Sequence, residues 1–599
     1  MKMKVAEYIS SELVRRGAEH IFLLNGGMMM HLVDTLGRPG GLQYTTNHHE
    51  QASAIATDGY ARRRGGFGVC FATSGPGATN LLTGLVGAWQ DSTPVLFITG
   101  QSKSTQTIYG SGIDGLRQFG TFEVDIVPIV TPVTKYAVQL RDPRDIRFHL
   151  EKALYLAVTG RPGPTLIDIP LDLQGAQIEP SELRGFDPEP LTFAPSAADL
   201  AEVSRMIRRA ERPLILAGYG IRVAQATREF RDLLDNLGVP VVTTHLAKDV
   251  LFYDHPLFVG HSGPKGDRAG NFAVQTADLI VSIGSSLHSQ TTGWESELFA
   301  PDAIKVQVDL DDAVFAREQV GITLKVHAGA KEFINALNSM QWPIDNWAPW
   351  RARCASWKRR YPVNNEPHVR QSGSINFYDF AESLSNALPE NSTVVSDAGT
   401  AFYVMGQALR IGPSQRFISS GSLGAMGFAL PAANGVAVAE PNAPAICVTG
   451  DGSLMTNVHE LATMSQFKLN VKLFVMNNDG YVSMRNTQRE YSENHIVGAD
   501  RASGVFIPAM SSLAQTFELP YFFCDDTAQI DQVIAEVLAV DGPVLCEIIA
   551  PREQKVIPAV TSVKLADGRM QSSQIHAMSP LLPDDVMAQE LEFIAEHSA

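Results

Sequence analysis

Two short segments of this chain set hard oxygen ligands beside glycines. Cys447-Val448-Thr449 reads as a buried strand that runs into Gly450-Asp451-Gly452-Ser453, with a helix expected from about Asn457. Val471–Val475 reads as a second buried strand, ending in Asn477-Asn478-Asp479-Gly480-Tyr481. Asp451 and Asn478 lie 27 residues apart. Strand–helix–strand connectivity over that distance sets both at the carboxyl ends of neighbouring parallel strands, where open α/β sheets bind ligands. Mg²⁺ takes oxygen ligands in an octahedron that phosphate and water usually complete. Asp451 offers a carboxylate, Asn478 an amide oxygen and Gly480 a main-chain carbonyl. Gly450 and Gly452 allow the main chain to approach a diphosphate, and the helix N-terminus that follows favours an anion. A lone Gly-Asp-Gly is usually only a turn; its pairing with the second Asn of an Asn-Asn is the specific signal.

Three more segments have spacings that could serve chemistry. Asn47-His48-His49-Glu50-Gln51-Ala52 opens an Ala-rich helix that ends at Gly59-Tyr60-Ala61-Arg62. Taken alone, Glu50 is a first-turn acid favoured by the helix dipole. Thr73-Ser74-Gly75-Pro76-Gly77-Ala78-Thr79-Asn80 is a glycine-rich turn between a strand and a helix. Gly421-Ser422-Leu423-Gly424-Ala425-Met426-Gly427-Phe428 and Asp397-Ala398-Gly399-Thr400 follow in the last third. Met426, taken alone, is an ordinary core methionine.

Together these segments resemble the thiamine diphosphate (ThDP) enzymes and, among them, the acetohydroxyacid (acetolactate) synthases. The Gly-Asp-Gly-Ser and Asn-Asn pair is the superfamily's cofactor signature, and Thr73–Asn80 matches a synthase loop in full. The resemblance covers about residues 1–560. It implies that Glu50 hydrogen-bonds the aminopyrimidine and promotes removal of the C2 proton of the thiazolium. It also implies cofactor contacts from Gly26, Gly27, Ser74, Pro76, Asn80, Asp397, Gly399, Thr400, Gly424 and Met426. Around the diphosphate they come from Gly450, Asp451, Gly452, Ser453, Asn478, Gly480 and Tyr481, with Asp451, Asn478 and Gly480 on Mg²⁺. Met426 would prop the cofactor in its bent form. The middle segment holds FAD in the synthases, at loops matching Gly218-Tyr219-Gly220, His261-Ser262-Gly263 and Gly284-Ser285-Ser286. Ser286 replaces the family's Arg, so a retained flavin and an empty pocket both stay open.

The implied reaction is decarboxylation of a 2-keto acid, pyruvate, and transfer of its acyl unit to an aldehyde or ketone. Glu50 of one chain would meet Asp451 of another, in a homodimer or homotetramer. Departures bear on the substrate. By spacing from Lys135, the synthases' catalytic Gln falls on Phe122, leaving Gln118 as a substitute. Asn25 stands for a loop Pro, and Thr400 departs from Gly-Gln-His. The run Asn478–Gln488 and the tail, with Asp567-Gly568-Arg569 and Met578-Ser579-Pro580, are similar to a subgroup from sugar-modifying gene clusters. His31, His48 and His49 are candidate proton shuttles, against a plainer role as bonded structural histidines. Hydrolysis of a 1,2-diketone, with His31 activating water, and simple decarboxylation are the alternatives. A cofactor-binding scaffold without catalysis is the non-enzymatic one.

Elements that position such groups are legible along most of the chain. Short apolar runs alternate with helical periods, the pattern of parallel sheets covered on both faces. Buried strands are expected at Val69–Ala72, Val95–Gly100 and Thr165–Ile169. In the middle they are expected at Pro213–Ala217, Val239–Thr243, Leu279–Ile283 and Ala303–Val308. Gln174–Ala198 and Gln341–Gly373 read as surface linkers. The expectation is an α/β chain of three doubly wound domains, 1–175 (pyrimidine-binding), 190–340 (central) and 370–550 (diphosphate- and Mg-binding), with a tail 551–599. The 599 residues carry a net charge of −16 and no long basic stripe, which speaks against nucleic acid. Arg62-Arg63-Arg64 and Lys358-Arg359-Arg360 read as solvated helix faces. Five scattered cysteines fit neither a disulfide framework nor a structural zinc site and suit a reducing compartment. No membrane span or signal peptide is read, so the cytoplasm is the expected location.

Overall fold

The computed structural model describes residues 2–564 and 569–592. Its frame is three six-stranded parallel sheets. In the first, the strands run Gln43–Thr46, His20–Leu23, Gly68–Ala72, Val95–Gln101, Thr165–Pro170 and Tyr136–Gln139 across the sheet. In the third they run Arg416–Ser419, Thr393–Ser396, Ala445–Gly450, Val471–Asn477, Val544–Ile549 and Tyr521–Cys524. Numbered within each sheet along the chain, both orders are 2-1-3-4-6-5. The two outer units are therefore copies of one topology, a relation the sequence did not disclose. The middle sheet runs Phe258–His261, Val241–Thr243, Pro213–Ala217, Leu279–Ile283, Ile304–Asp309 and Leu324–His327, the 3-2-1-4-5-6 order of a dinucleotide-binding fold.

The central strands are buried on both faces, which is why they read as continuous apolar runs rather than alternations. Each sheet reverses its winding between its first strand and a neighbour, opening a crevice at the strands' carboxyl ends. In the first sheet that point lies between Leu23 and Ala72, beside Gly26 and Ser74. In the third it lies between Ser396 and Gly450, beside Asp397 and Asp451.

Helix Glu50–Arg64 crosses helix Ala429–Ala439 at close range. A Cβ on Gly59 would stand 2.3 Å from the Ala432 carbonyl, and one on Gly435 would stand 1.9 Å from that of Ala56. The two small residues thus allow the first and third units to dock with main chains in contact.

Two expectations are corrected. Gln341–Gly373 is not a bare linker: helix Ala348–Arg360 runs through it, and Trp347, Trp350 and Trp357 are buried. Their indole N–H groups donate to the Ala210 and Pro213 carbonyls (both 2.9 Å) and to Glu590 (2.7 Å). Arg62 is not on a solvated face. Its side chain is 3% exposed and bonds Asp91 at 2.7 Å, Thr93 at 3.1 Å, Asp58 at 3.1 Å and the Ser419 carbonyl at 3.0 Å. The tail returns to the middle unit, where buried Arg268 donates to the Met578 and Pro580 carbonyls. The motif residues Asp567 and Gly568 lie outside the described residues. Among those described, no helix is long and apolar enough to cross a membrane.

Candidate active site

At the third switch point Asp451 starts a helix directly, Asp451–Leu454, not one near Asn457. Its carboxylate accepts the N–H of Gly452 and of Gly480, each at 2.9 Å. Gly480, at φ +112°, is bent toward it. Burial pushes the Asp451 carboxyl up to about 6, against those two N–H donors. The Asn478 amide oxygen is buried and has no hydrogen-bond partner. An unpartnered buried acceptor costs free energy comparable to a lost hydrogen bond, so this oxygen, on the strand next to an acid with a raised proton affinity, suits the ligand set of a cation. Among the described residues no three His, Cys, Asp or Glu side chains gather into a metal site. A cation here would therefore draw on Asp451, the Asn478 amide and main-chain oxygen, with phosphate and water completing the shell, which suits Mg²⁺.

Arg485, buried in the next helix, is a site residue the sequence reading missed. Its guanidinium takes the carbonyls of Asn478 (2.6 Å), Asp479 (2.9 Å) and Ala499 (3.0 Å), so it fixes the loop that presents Asn478. Gly450 faces open space, as close approach of a ligand requires, but the Cβ position on Gly452 lies 2.4 Å from the Tyr481 ring. Gly452 thus makes room for Tyr481. Ser453 is buried in the same short helix.

Thr400 begins the nine-residue helix Thr400–Ala408, with Gly399 at φ +69° before it. Its hydroxyl lies 3.2 Å from that of Ser483, joining this helix start to the helix that follows Tyr481. Asp397 contributes differently. Its two oxygens accept the N–H groups of Ala398, Gly427 and Ala429 and the Thr449 hydroxyl at 2.7–3.1 Å. It ties the three site loops together. Gly424 sits at φ +68° with open space around its Cβ position, and Met426 beside it is 43% exposed, not core.

The first switch point holds Glu50, buried at the start of helix Glu50–Arg64. Asn80 donates to its Oε2 at 3.0 Å, and a Cβ on Gly77 would stand 3.4 Å from its Oε1. Gly26 packs on Thr73 so closely that a Cβ would fall 2.5 Å away, while Gly27 is open. Ser74 is buried and Pro76 exposed at the first turn of Pro76–Asn80. A second missed residue, Glu460, is wholly buried and holds the approach to Glu50. It accepts Asn47 Nδ2 at 2.7 Å and the His48 N–H at 2.8 Å.

Among the described residues, none of the remaining candidates makes a hydrogen bond to the Glu50 carboxylate. His49 is the helix cap, its Nδ1 accepting the Gln51 N–H at 3.0 Å. The His48 side chain is exposed and only its main chain is engaged. His31 Nε2 abuts Gly175, 2.8 Å from where a Cβ would stand. Gln118 is exposed, whereas Phe122 lies on the Gly75 turn, its carbonyl 2.4 Å from that residue's Cβ position. Among the described residues no hydrogen bond or ion pair joins Glu50 or Asn80 to Asp451, Asn478 or Gly480.

In the middle unit a cavity of about 490 Å³ opens at the switch point, lined by Gly220, His245, Gly284, Ser285 and Ser286 among others. The Gly218 and Gly284 turns interlock there, a Cβ on Gly218 meeting the Gly284 carbonyl at 2.1 Å. His261, Ser262 and Gly263 are buried away from its lining. His261 instead bridges the Thr243 hydroxyl and Lys248.

Comparison with known proteins agrees with this geometry. Residues 3–118 match the N-terminal TPP-binding domain of thiamine pyrophosphate enzymes, 200–337 their central domain and 397–548 their C-terminal TPP-binding domain. Fold and site together define a ThDP-binding enzyme of three α/β units. The chain is 32% identical over 580 residues to an acetolactate synthase large subunit of Porphyra purpurea, covering 95% of this chain and 94% of the relative. It is 30% identical over 565 residues to the acetolactate synthase isozyme 2 large subunit of Escherichia coli K12, covering 93% and 97%. The chain belongs to the acetolactate synthase large-subunit family of ThDP enzymes.

Proposed function

We propose that the protein is a ThDP- and Mg²⁺-dependent carboligase. A 2-keto acid, pyruvate, loses its carboxylate as CO₂. The acyl carbon left behind bonds to the carbonyl carbon of an aldehyde or ketone, and one proton is taken up at the new hydroxyl, giving an α-hydroxy ketone. Relatives named acetolactate synthase support the donor. ThDP, when bound, would supply the stabilisation of negative charge on the keto carbon that loses CO₂.

The observation that carries this reading is the buried pair of Asp451 and an unpartnered Asn478 oxygen. With the Gly480 carbonyl they hold the metal; the Thr400 helix start and the open main chain at Gly450 receive the diphosphate. Glu50, screened from water and steadied by Asn80, exchanges the proton that activates the cofactor. We further propose that Glu50 of one copy serves Asp451 of another. The exposure of Met30 (56%) and Met426 on the site segments supports covering by a second chain. FAD is the candidate ligand of the middle cavity, on its position and size; flavin absorbance of the purified protein tests it. Diketone hydrolysis is not favoured, since the histidine that motivated it packs on Gly175.

The test is CO₂ release from pyruvate by protein supplied with ThDP and Mg²⁺, with products identified by mass spectrometry. Glu50→Gln is expected to lower turnover by at least about 100-fold. Turnover at the normal rate in that variant would sink the assignment.

A further inference from the structure

Phe122 combines two unfavourable features on the loop beside Glu50. Its φ is +58°, a left-handed conformation that costs a residue with a Cβ about 1–2 kcal/mol. Its side chain is also 65% exposed, with no ring or cation partner among the described residues. Both neighbours are pinned. The Thr121 carbonyl accepts the Ser102 hydroxyl at 2.8 Å. The Glu123 carboxylate accepts the N–H groups of Ile108, Phe119 and Gly120, the last two at 3.0 and 2.9 Å. Beneath, the Phe122 carbonyl rests on Gly75, whose own φ of +62° and missing Cβ make the contact sterically feasible. Two residues on, Gly77 lies against the Glu50 carboxylate. Strain that the surroundings hold in place beside a reacting group points to function.

The chemistry of the segment is one-sided. Residues 118–125 include two carboxylates, Glu123 and Asp125, and no cation. Glu123 is already committed to main-chain donors, so the exposed group offered over the Gly75 turn is hydrocarbon. A donor 2-keto acid sheds its carboxylate as CO₂ during the reaction. An anionic acceptor keeps its carboxylate to the end and needs a hydrogen-bond donor or cation to hold it.

We propose that Phe122 selects the acceptor: it forms an apolar wall that favours a neutral aldehyde or ketone with a hydrocarbon face over a second 2-keto acid. The inference rests on the carboligase reading above.

The experiment supplies holoenzyme with pyruvate as donor and lets butanal compete with pyruvate as acceptor. Wild type is expected to give mainly the butanal adduct. Phe122→Gln and Phe122→Gly are each expected to shift the product ratio toward acetolactate by about tenfold, through a higher KM for butanal, the scale of losing a hydrocarbon contact in a binding pocket. Phe122→Gly also removes the strained Cβ, so its Tm should hold or rise, which separates selection from folding. ThDP affinity, measured on each variant, checks that the cofactor site is intact. An unchanged product ratio in both variants with ThDP bound overturns the proposal, as does a fall in the Tm of Phe122→Gly with the ratio intact. Wild-type protein that binds ThDP but forms neither product refutes the carboligase reading, and this one with it.

Discussion

Arg62 offers a quantitative test of how the first and third units are held together. It sits at the far end of the helix that begins with Glu50 and bonds two acids of its own unit, Asp58 and Asp91, and the Ser419 carbonyl of the third unit. Asp91 in turn accepts the Ser422 N–H at 3.1 Å. Removing one partner of a buried ion pair costs about 3–5 kcal/mol, because a charge is left buried and unpaired. The loss has a ceiling: an orphaned carboxylate can instead take a proton, at about 1.4 kcal/mol for each pH unit above its ordinary value of about 4. For Asp58 that ceiling is about 4 kcal/mol at pH 7 and about 1.5 kcal/mol at pH 5. The sign follows from linkage. Burial already raises the Asp58 carboxyl while Arg62 opposes the rise. Without Arg62 the folded state would hold a proton that the unfolded chain has lost, so stability falls as pH rises above about 4. We therefore expect Arg62→Met to lower the Tm by roughly 6–15 °C at pH 7.5, at about 2–4 °C per kcal/mol for a unit of this size, and by much less at pH 5.5. Adding Asp58→Asn should recover part of the loss. Thermal unfolding at the two pH values measures this. A penalty under about 1 kcal/mol at pH 7.5, with no dependence on pH, would show that these carboxylates are hydrated and the reasoning wrong.

Two further outcomes are expected. Asn478→Leu removes the unpartnered amide oxygen at similar size, and should weaken Mg²⁺-dependent ThDP binding by at least about tenfold in calorimetry; unaltered affinity would exclude that oxygen as a ligand. Lys248 is buried and donates to the Gly406 carbonyl at 2.9 Å, and burial pulls its ammonium down to about 7. The unfolded chain then binds more protons between about pH 7 and the ordinary lysine value, so the penalty for this group fades as pH rises through that window. The Tm of wild type relative to Lys248→Met should therefore climb from pH 7 to pH 9, and a constant difference would refute the shift.

How far the sequence could be read depended on how local each signal was. Strands such as Val69–Ala72 and Leu279–Ile283 were legible because a strand buried on both faces needs an apolar run. The Gly-Asp-Gly-Ser turn was legible because strand, turn and helix follow one another along the chain. Arg62 was misread because its partner Asp91 lies 29 residues away, and a run of three arginines alone looks solvated. The Trp-rich stretch after Gln341 was misread from composition. Trp347, Trp350 and Trp357 become core only where the Ala210 and Pro213 carbonyls and Glu590 meet their N–H groups.

By itself the sequence determined which chemistry the chain can carry: an oxygen-ligand turn at Asp451, an amide at Asn478 and a helix-start carboxylate at Glu50, each flanked by the residues that shape its own loop. Only the tertiary structure decided which groups remain free to act. Asp397 is spent on four donors and His49 on a helix cap, whereas the Asn478 oxygen is left buried without a partner. Hydrogen-bond satisfaction depends on what arrives from distant segments, and no local pattern records it.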